Sequence, residues 1–148
     1  MENEAQILGT ALELEEKGFK FYSEAAKKTE NETGKKIFAR LAKEEQEHIE
    51  SLREKFSTLY PEKKHRDIPV FEVKVSMYSG EVEALKTGRD MEKESIAFYS
   101  EWARGTLQPL FASLIEFEKN HLELLEAELD YVLKTGYWFD YFESSLED

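Results

Sequence analysis

Residues 37–52 read IFARLAKEEQEHIESL, and residues 110–125 read LFASLIEFEKNHLELL. The two stretches align without a gap and share seven of sixteen residues, among them a glutamate and a histidine three positions apart. At this spacing the two side chains lie about one turn apart on one side of a helix, so both can point at the same place. The repeated Glu-x-x-His pattern therefore predicts two helices that each present the same pair of groups.

The repeat extends to the segments that precede these stretches. LEEKGFKFYSEAA at residues 14–26 aligns with MEKESIAFYSEWA at residues 91–103, with six identities in thirteen positions. The two alignments have offsets of 77 and 73 residues, and a shorter turn in the second copy absorbs the difference. The sequence therefore predicts two copies of one helical hairpin.

Four segments have apolar residues at the three- and four-residue spacing of amphipathic helices. Three prolines and seven glycines in a chain rich in Glu, Lys and Leu also favour an all-α fold over a sheet. Asn3 is a candidate cap for the first helix, and Gly136 is a candidate cap for the end of the fourth. We predict a single domain over 1–148, with hairpin 1 at about 4–59, a crossover at about 60–80, hairpin 2 at about 81–135 and an aromatic tail at 136–148.

The predicted crossover is the only long connection between helices. Its centre, VFEVKVSM at residues 70–77, alternates apolar and polar side chains, which indicates an extended segment. Twenty extended residues span about 66 Å, whereas a helix of about 25 residues is only about 38 Å long. The crossover can therefore run from one end of the bundle to the other.

Charged side chains occupy core positions in all four predicted helices. Glu45 and His48, for example, lie on the same apolar stripe as Leu41 and Leu52. A carboxylate in a dry core is costly unless it is paired or bound to a metal, and no inward-facing Arg or Lys recurs in both copies. Two divalent cations would balance four carboxylates, and oxygen donors with imidazole suit iron or manganese. The full set of candidate metal ligands is Glu15, Glu45, His48, Glu92, Glu118 and His121.

This set resembles the di-iron carboxylate proteins of the ferritin-like superfamily, in which two helices each supply one glutamate and the other two each supply Glu-x-x-His. A tyrosine seven residues after each single glutamate, in LEEKGFKFY and MEKESIAFY, is most similar to the rubrerythrin branch. The resemblance covers residues 5–135. It implies an all-α ferritin-like four-helix bundle, ordered up-down-down-up, with the long crossover between helices 2 and 3.

The resemblance also implies a cofactor of two iron ions, with manganese or a mixed metal pair as alternatives. Two of the four glutamates are expected to bridge the metals, and the spacing leaves open which two. Tyr22 and Tyr99 lie two turns further along the same stripes, and we predict them as catalytic residues that reach a ligand carboxylate or donate a proton to peroxide. The alternative is that both are core residues whose hydroxyl groups are bonded locally.

Two features depart from full-length rubrerythrins, which carry a C-terminal rubredoxin domain with Cys-ligated iron. This chain has no Cys, so we expect an external electron donor such as a rubredoxin. The additional glutamate of those proteins, three residues after the ligand in helix 3, is Ser95 here and is mirrored by Gly18 in the first copy. The site is therefore expected to have six symmetric ligands, as in bacterioferritins.

The leading functional hypothesis is a rubrerythrin-like, non-haem di-iron oxidoreductase that reduces hydrogen peroxide under oxidative stress. One alternative is a ferroxidase or iron-handling ferritin-like protein that reacts with dioxygen or peroxide. Another is a di-metal binding protein without turnover. The sequence does not choose among these three.

The net charge of −12 repels phosphate backbones and anionic lipid surfaces, so neither nucleic acid nor a membrane is an expected partner. The N-terminal MENEAQILGT lacks the features of a signal peptide, and no run of eighteen apolar residues occurs. We therefore expect a cytoplasmic protein, and we expect it to form a homodimer or a larger homo-oligomer.

Three remaining groups of residues receive simpler interpretations. The aromatic stretch YWFDYF at 137–142 is predicted to cover a bundle end or form a dimer contact, with gating of the site as a third alternative. His65 is predicted to lie in an exposed basic loop. Glu44 and Glu47 align with Phe117 and Asn120 in the second copy, so they are interpreted as surface charges or as charges just outside the metal ligands.

Overall fold

The structure is a computed structural model that describes residues 3–63 and 80–141. Four α-helices contain most of these residues, and no strand occurs within the two described ranges. None of the helices in these ranges is long and apolar enough to cross a membrane. The helices are α1 (Glu4–Lys28), α2 (Glu32–Leu59), α3 (Glu81–Trp102) and α4 (Gln108–Thr135), and a short 3₁₀ helix at Gly105–Leu107 precedes α4.

Side-chain caps and a left-handed glycine mark the ends of these helices. The side chain of Asn3 accepts a hydrogen bond from the backbone N–H of Gln6 at 2.8 Å, as the sequence predicts. Asn31 accepts one from Gly34 at 3.0 Å and starts α2 in the same way. Gly136 ends α4 with a φ of 80°, a conformation that glycine adopts without steric cost.

The helices run up, down, down and up, because α1 and α3 are antiparallel. Tyr22 near the end of α1 contacts Glu92 in α3, whereas Glu15 earlier in α1 contacts Tyr99 later in α3. Since consecutive helices in each hairpin are also antiparallel, α2 and α3 run in the same direction. The ferritin-like four-helix bundle predicted from the sequence is confirmed. The predicted extended segment at residues 70–77 and the predicted loop at His65 lie outside the described residues.

Two apolar clusters fill the bundle, one towards each end. Each helix carries one or two of the six candidate ligands, and these lie between its residues of the first cluster and its residues of the second. Burying one large apolar side chain contributes about 1.5–3 kcal/mol, so the two clusters supply the stability that holds a charged layer between them. The first cluster contains Phe21, Phe38, Leu85 and Leu125, and the second contains Leu8, Leu12, Leu52, Phe56 and Phe111.

Trp138, in the aromatic tail, covers the end of the bundle at the first cluster. Its ring packs edge-on against Phe38, with centroids 5.7 Å apart, and its Nε1 donates a hydrogen bond to Glu81 at 3.0 Å. A Cβ atom at Gly34 would lie 2.5 Å from the indole, so only glycine leaves room for it. The described part of the tail therefore covers a bundle end, which is one of the alternatives that the sequence predicts.

Glu128 holds this tail in place from α4. Its side chain is fully buried, and it accepts hydrogen bonds from the backbone N–H groups of Phe139 at 2.7 Å and Tyr141 at 2.6 Å. Burial raises the pKa of Glu128 above 4.5, and these backbone hydrogen bonds oppose the shift. The sequence interpretation did not identify this residue.

Candidate metal centre

The structure brings all six predicted metal ligands together at mid-height in the bundle. Each residue is at most 5% exposed, although four are acids and two are histidines. Such groups are rarely so buried without a partner, because removing a charge from water costs several kcal/mol. The six are Glu15 from α1, Glu45 and His48 from α2, Glu92 from α3, and Glu118 and His121 from α4.

The ligand atoms form two overlapping groups. Within each group they all lie within 4.8 Å of one another, which is close enough for one cation. Glu45 and Glu118 belong to both groups, whereas each of the other four residues belongs to one. The first group is Glu15, Glu45, His48 and Glu118, and the second is Glu45, Glu92, Glu118 and His121.

Both histidines face the carboxylates with Nδ1. This atom of His48 lies 3.1 Å from Glu118 Oε1, and that of His121 lies 3.3 Å from Glu45 Oε1 and 3.4 Å from Glu92 Oε1. The two imidazole rings stack with centroids 5.9 Å apart. Each histidine thus approaches the shared glutamate of the opposite hairpin.

Several buried nitrogen and oxygen atoms of this cluster lack hydrogen-bond partners within the described ranges. They include Nδ1 of both histidines, Oε2 of Glu92 and Oε1 of Glu118. Since buried polar atoms are normally hydrogen-bonded, unsatisfied atoms that converge on one point favour a ligand there. Carboxylate oxygens with imidazole nitrogens fit iron or manganese. The residues therefore fit a metal site.

Burial and neighbouring charges make several side chains of the cluster hold their protons more tightly than they would in water. Burial raises the pKa of Glu45 well above 4.5, and the charge of Glu15 adds to the shift. Burial and the charges of Glu45 and Glu92 raise the pKa of Glu118 in the same direction. Burial lowers the pKa of His48, but the nearby carboxylates of Glu15 and Glu45 outweigh it and raise the value to about 10. Metal ions that bind here would displace these protons.

Tyr22 and Tyr99 hold the two glutamates that belong to one group only. Tyr22 donates a hydrogen bond to Glu92 Oε1, and Tyr99 donates one to Glu15 Oε1, both at 2.7 Å. Burial and the charge of the bonded glutamate raise the pKa of each tyrosine well above 10, so both hydroxyl groups keep their protons. Each tyrosine thus makes the predicted contact with a ligand carboxylate. The same hydrogen bond satisfies its buried hydroxyl group, as the alternative interpretation of a core tyrosine also requires.

The rubrerythrin family model matches residues 6–129. The chain belongs to the rubrerythrin family. The resemblance to the rubrerythrin branch, which the sequence predicts from the six ligands and the tyrosine seven residues after each single glutamate, is thus confirmed. A solved structure from Pyrococcus furiosus, named "Hypothetical Protein Pfu-1136390-001", has a TM-score of 0.75 and 23% identity to this chain. The alignment covers 88% of this chain and 90% of that one, and it shows that the fold is shared. No curated protein matches the chain.

The outer nitrogens of the two histidines have different surroundings in this rubrerythrin-family chain. His121 Nε2 lies 2.8 Å from Glu44 Oε1, and the other oxygen of Glu44 accepts a hydrogen bond from Arg40 Nε at 3.0 Å. The bond to His121 lowers the pKa of Glu44 to about 2. His48 Nε2 has no hydrogen-bond partner among the described residues, and the ring of Phe117 lies beside it with centroids 5.1 Å apart.

Glu44 therefore lies just outside the ligands and contacts one of them directly. The sequence left open whether Glu44 and Glu47 are surface charges or charges just outside the ligands. Glu44 is bonded to a ligand, whereas Glu47 is exposed at the surface. The comparison of the two copies discounted Glu44, because its counterpart is Phe117. The available signal was its position directly before Glu45, which turns it towards the neighbouring helix α4.

Two openings of unequal size border the centre. A cavity of about 200 Å³ reaches His48 between α2 and α4. The opening on the α1 and α3 side is only about 10 Å³, room for one water molecule. Gly18 and Ser95 border this smaller opening, and a Cβ atom at Gly18 would lie 3.4 Å from Glu45 Cδ. The larger cavity is lined by Glu44, Glu47, His48, Ser51 and Phe117.

Proposed function

We propose that this chain binds two iron ions and reduces hydrogen peroxide with electrons from an external donor. The observation that carries the proposal is the pair of overlapping donor groups, which share Glu45 and Glu118 and lie between two apolar clusters. Each group would hold one ion, and the two shared carboxylates would bridge them. Membership of the rubrerythrin family supports the same assignment.

Two bound ferrous ions would together supply the two electrons that convert one peroxide and two protons into two water molecules. The residues of the chain hold the ions and the protons. The shared glutamates fix the distance between the two positions, and the apolar clusters keep water away from both ends of the centre. Tyr22 and Tyr99 each hold a proton at Oη beside a carboxylate, where it is available to the reduced oxygen.

A ferroxidase is the second candidate, and one observation favours it. Ser95 occupies the place of the additional glutamate found in full-length rubrerythrins, and it borders the small opening beside Gly18. The six ligands are then arranged symmetrically about the two shared glutamates, as expected for an iron-oxidising centre like that of bacterioferritins. In this alternative, iron is a substrate, and oxidised iron leaves the centre.

Anaerobic loading with Fe(II), followed by separate titrations with peroxide and dioxygen, tests these functions. We expect two irons per chain, faster oxidation by peroxide than by dioxygen, and both irons retained through repeated cycles with reduced rubredoxin as the donor. Many iron atoms accumulated per chain would instead support the ferroxidase. Binding without oxidation by either oxidant would leave a di-metal binding protein, and fewer than two cations bound would refute the di-metal site. Parallel loading with Mn(II) tests the choice of metal.

A further inference from the structure

The two hairpins differ at the position directly before each shared glutamate. This position is Glu44 in α2 and Phe117 in α4. Each side chain reaches the histidine of the other hairpin: Glu44 bonds to His121 at 2.8 Å, and the ring of Phe117 packs beside His48. One histidine therefore has a carboxylate at its outer nitrogen, and the other has an apolar ring.

The same two histidines also differ in whether they border a cavity. His48 is only 5% exposed, yet its Nε2 has no hydrogen-bond partner in the described part of the chain. It borders the cavity of about 200 Å³ between α2 and α4, whereas His121 does not. The opening on the opposite face, about 10 Å³, is too small to admit a hydrated cation. The cavity is therefore the larger of the two openings that border the centre, and His48 lies in its lining.

A carboxylate that accepts the outer N–H of a metal-bound histidine fixes the ring and makes it a stronger donor. Loss of such a partner typically lowers metal affinity by about 10- to 100-fold. Phe117 offers His48 no acceptor, so the ring of His48 has neither the fixed orientation nor the added basicity that Glu44 gives to His121. The difference between the hairpins thus becomes a difference between the two metal positions.

We infer that the two positions are unequal: the one beside His121 binds a divalent cation more tightly, and the one beside His48 exchanges its cation through the cavity between α2 and α4. This inference rests on the proposed di-metal site. Glu44 is then a positioning residue, which acts on the metal through His121. The cavity lining, with Glu47 and Ser51 at its mouth, is the entry route for the second cation.

One equivalent of Co(II) identifies the tighter position directly. We expect anomalous scattering from crystals of the singly loaded protein to place the ion beside His121. In solution, calorimetric titration of the metal-free protein should resolve two affinities that differ by about 10- to 100-fold. An ion beside His48, equal occupancy of both positions, or a single shared affinity would overturn the inference.

Variants at the two equivalent positions test the cause. Glu44→Ala should lower the tighter affinity by about 10- to 100-fold and leave the weaker one unchanged, and Glu44→Gln should retain part of the difference because its amide oxygen still accepts the N–H. Phe117→Glu should raise the weaker affinity. Exchange of both residues, Glu44→Phe with Phe117→Glu, should move the first Co(II) ion to the side of His48. A first ion that stays beside His121 in the exchanged protein would contradict the assigned roles.

Glu50→Gln is the matched control, since Glu50 is an exposed acid on the same helix as Glu44 and does not line the cavity. Both affinities should be unchanged, and a loss equal to that of Glu44→Ala would mean that general negative charge, rather than the bond to His121, causes the effect. Phe117 is 48% exposed, so its replacement spares the core, and circular dichroism checks the helices of each variant. Two cations of equal affinity would overturn this inference alone, whereas fewer than two in the unaltered chain would overturn the proposed function as well.

Discussion

Glu118 and Glu92 are both buried ligand candidates, yet only Glu118 belongs to both donor groups. Glu118→Ala should therefore remove the second cation and weaken the first, whereas Glu92→Ala should affect only the position beside His121. We expect Co(II) bound per chain, measured at a concentration that just saturates the unaltered protein, to fall from two to near zero in the first variant. It should fall to about one in the second. Equal losses in both variants would show that the carboxylates are not shared as the geometry indicates.

Tyr99 donates its hydroxyl to Glu15, and both groups are buried. Tyr99→Phe removes the donor and leaves a buried carboxylate oxygen without it. We expect the free energy of unfolding of the metal-free protein to fall by about 1–3 kcal/mol, measured by urea denaturation. Tyr131→Phe is the control, because Tyr131 is exposed and its replacement should change stability by less than about 0.5 kcal/mol. A Tyr99→Phe protein as stable as the Tyr131→Phe control would show that this hydrogen bond does not stabilise the fold.

At the scale of whole elements, one side chain of α4 bonds to the backbone of the aromatic tail. Glu128→Ala removes the acceptor of the backbone N–H groups of Phe139 and Tyr141. We expect a loss of about 1–3 kcal/mol of stability, because these N–H groups lose their buried acceptor. Trp138 should become more exposed, with a red-shifted emission spectrum and faster amide exchange in the tail.

Glu126→Ala provides the comparison for this change, since Glu126 is an exposed acid on the same helix. Its emission spectrum should match that of the unaltered protein. The result that would contradict the assignment is an unchanged Trp138 environment in Glu128→Ala, since other contacts, such as the bond from Trp138 to Glu81, would then hold the tail without Glu128. Loss of Co(II) binding in that variant would also connect the tail to the metal centre, which lies on the far side of the first apolar cluster.

The comparison of the two sequence copies predicted the helices and the cluster of six side chains, for a clear physical reason. Helical periodicity fixes the azimuth of a residue, so identical residues at identical positions converge when the hairpins pack. The same comparison discards whatever differs between the copies. Glu128 was missed in this way and Glu44 was left between two alternatives, since their counterparts are Lys55 and Phe117. The stripe that joins Glu118, His121 and Leu125 continues to Glu128, and this was the signal available for it.

Which glutamates are shared is a property of the whole bundle, and the sequence left it open. The answer depends on how closely the two hairpins approach each other. A glutamate belongs to both donor groups only if it also lies near the histidine of the other hairpin, as Glu118 does with His48 and Glu45 does with His121. Periodicity along one helix contains no information about that distance. The packing of the two hairpins against each other sets it, through the apolar side chains of the two clusters.

The whole molecule should also respond to pH according to its metal content. The pKa of His48 rises from 6.5 to about 10 on folding, so its contribution to stability is complete below pH 6.5 and is lost as the pH rises towards 10. Glu45 and Glu118 act in the same direction, because their raised pKa values mean that the unfolded chain loses these protons first. The free energy of unfolding of the metal-free protein should therefore decrease steadily between pH 6.5 and 9.

With two Co(II) ions bound, the cations replace the protons, so this decrease should become much smaller over the same range. Urea denaturation at several pH values, with chelator in one series and stoichiometric Co(II) in the other, measures both profiles. Glu118→Gln in the chelator series isolates one contributor, since it removes a titrating group and should flatten the profile. Parallel profiles with and without metal would mean that groups elsewhere in this acidic chain cause the pH dependence. Convergence of the two profiles only at low pH is the result expected if buried protons and metal ions compete for the same six side chains.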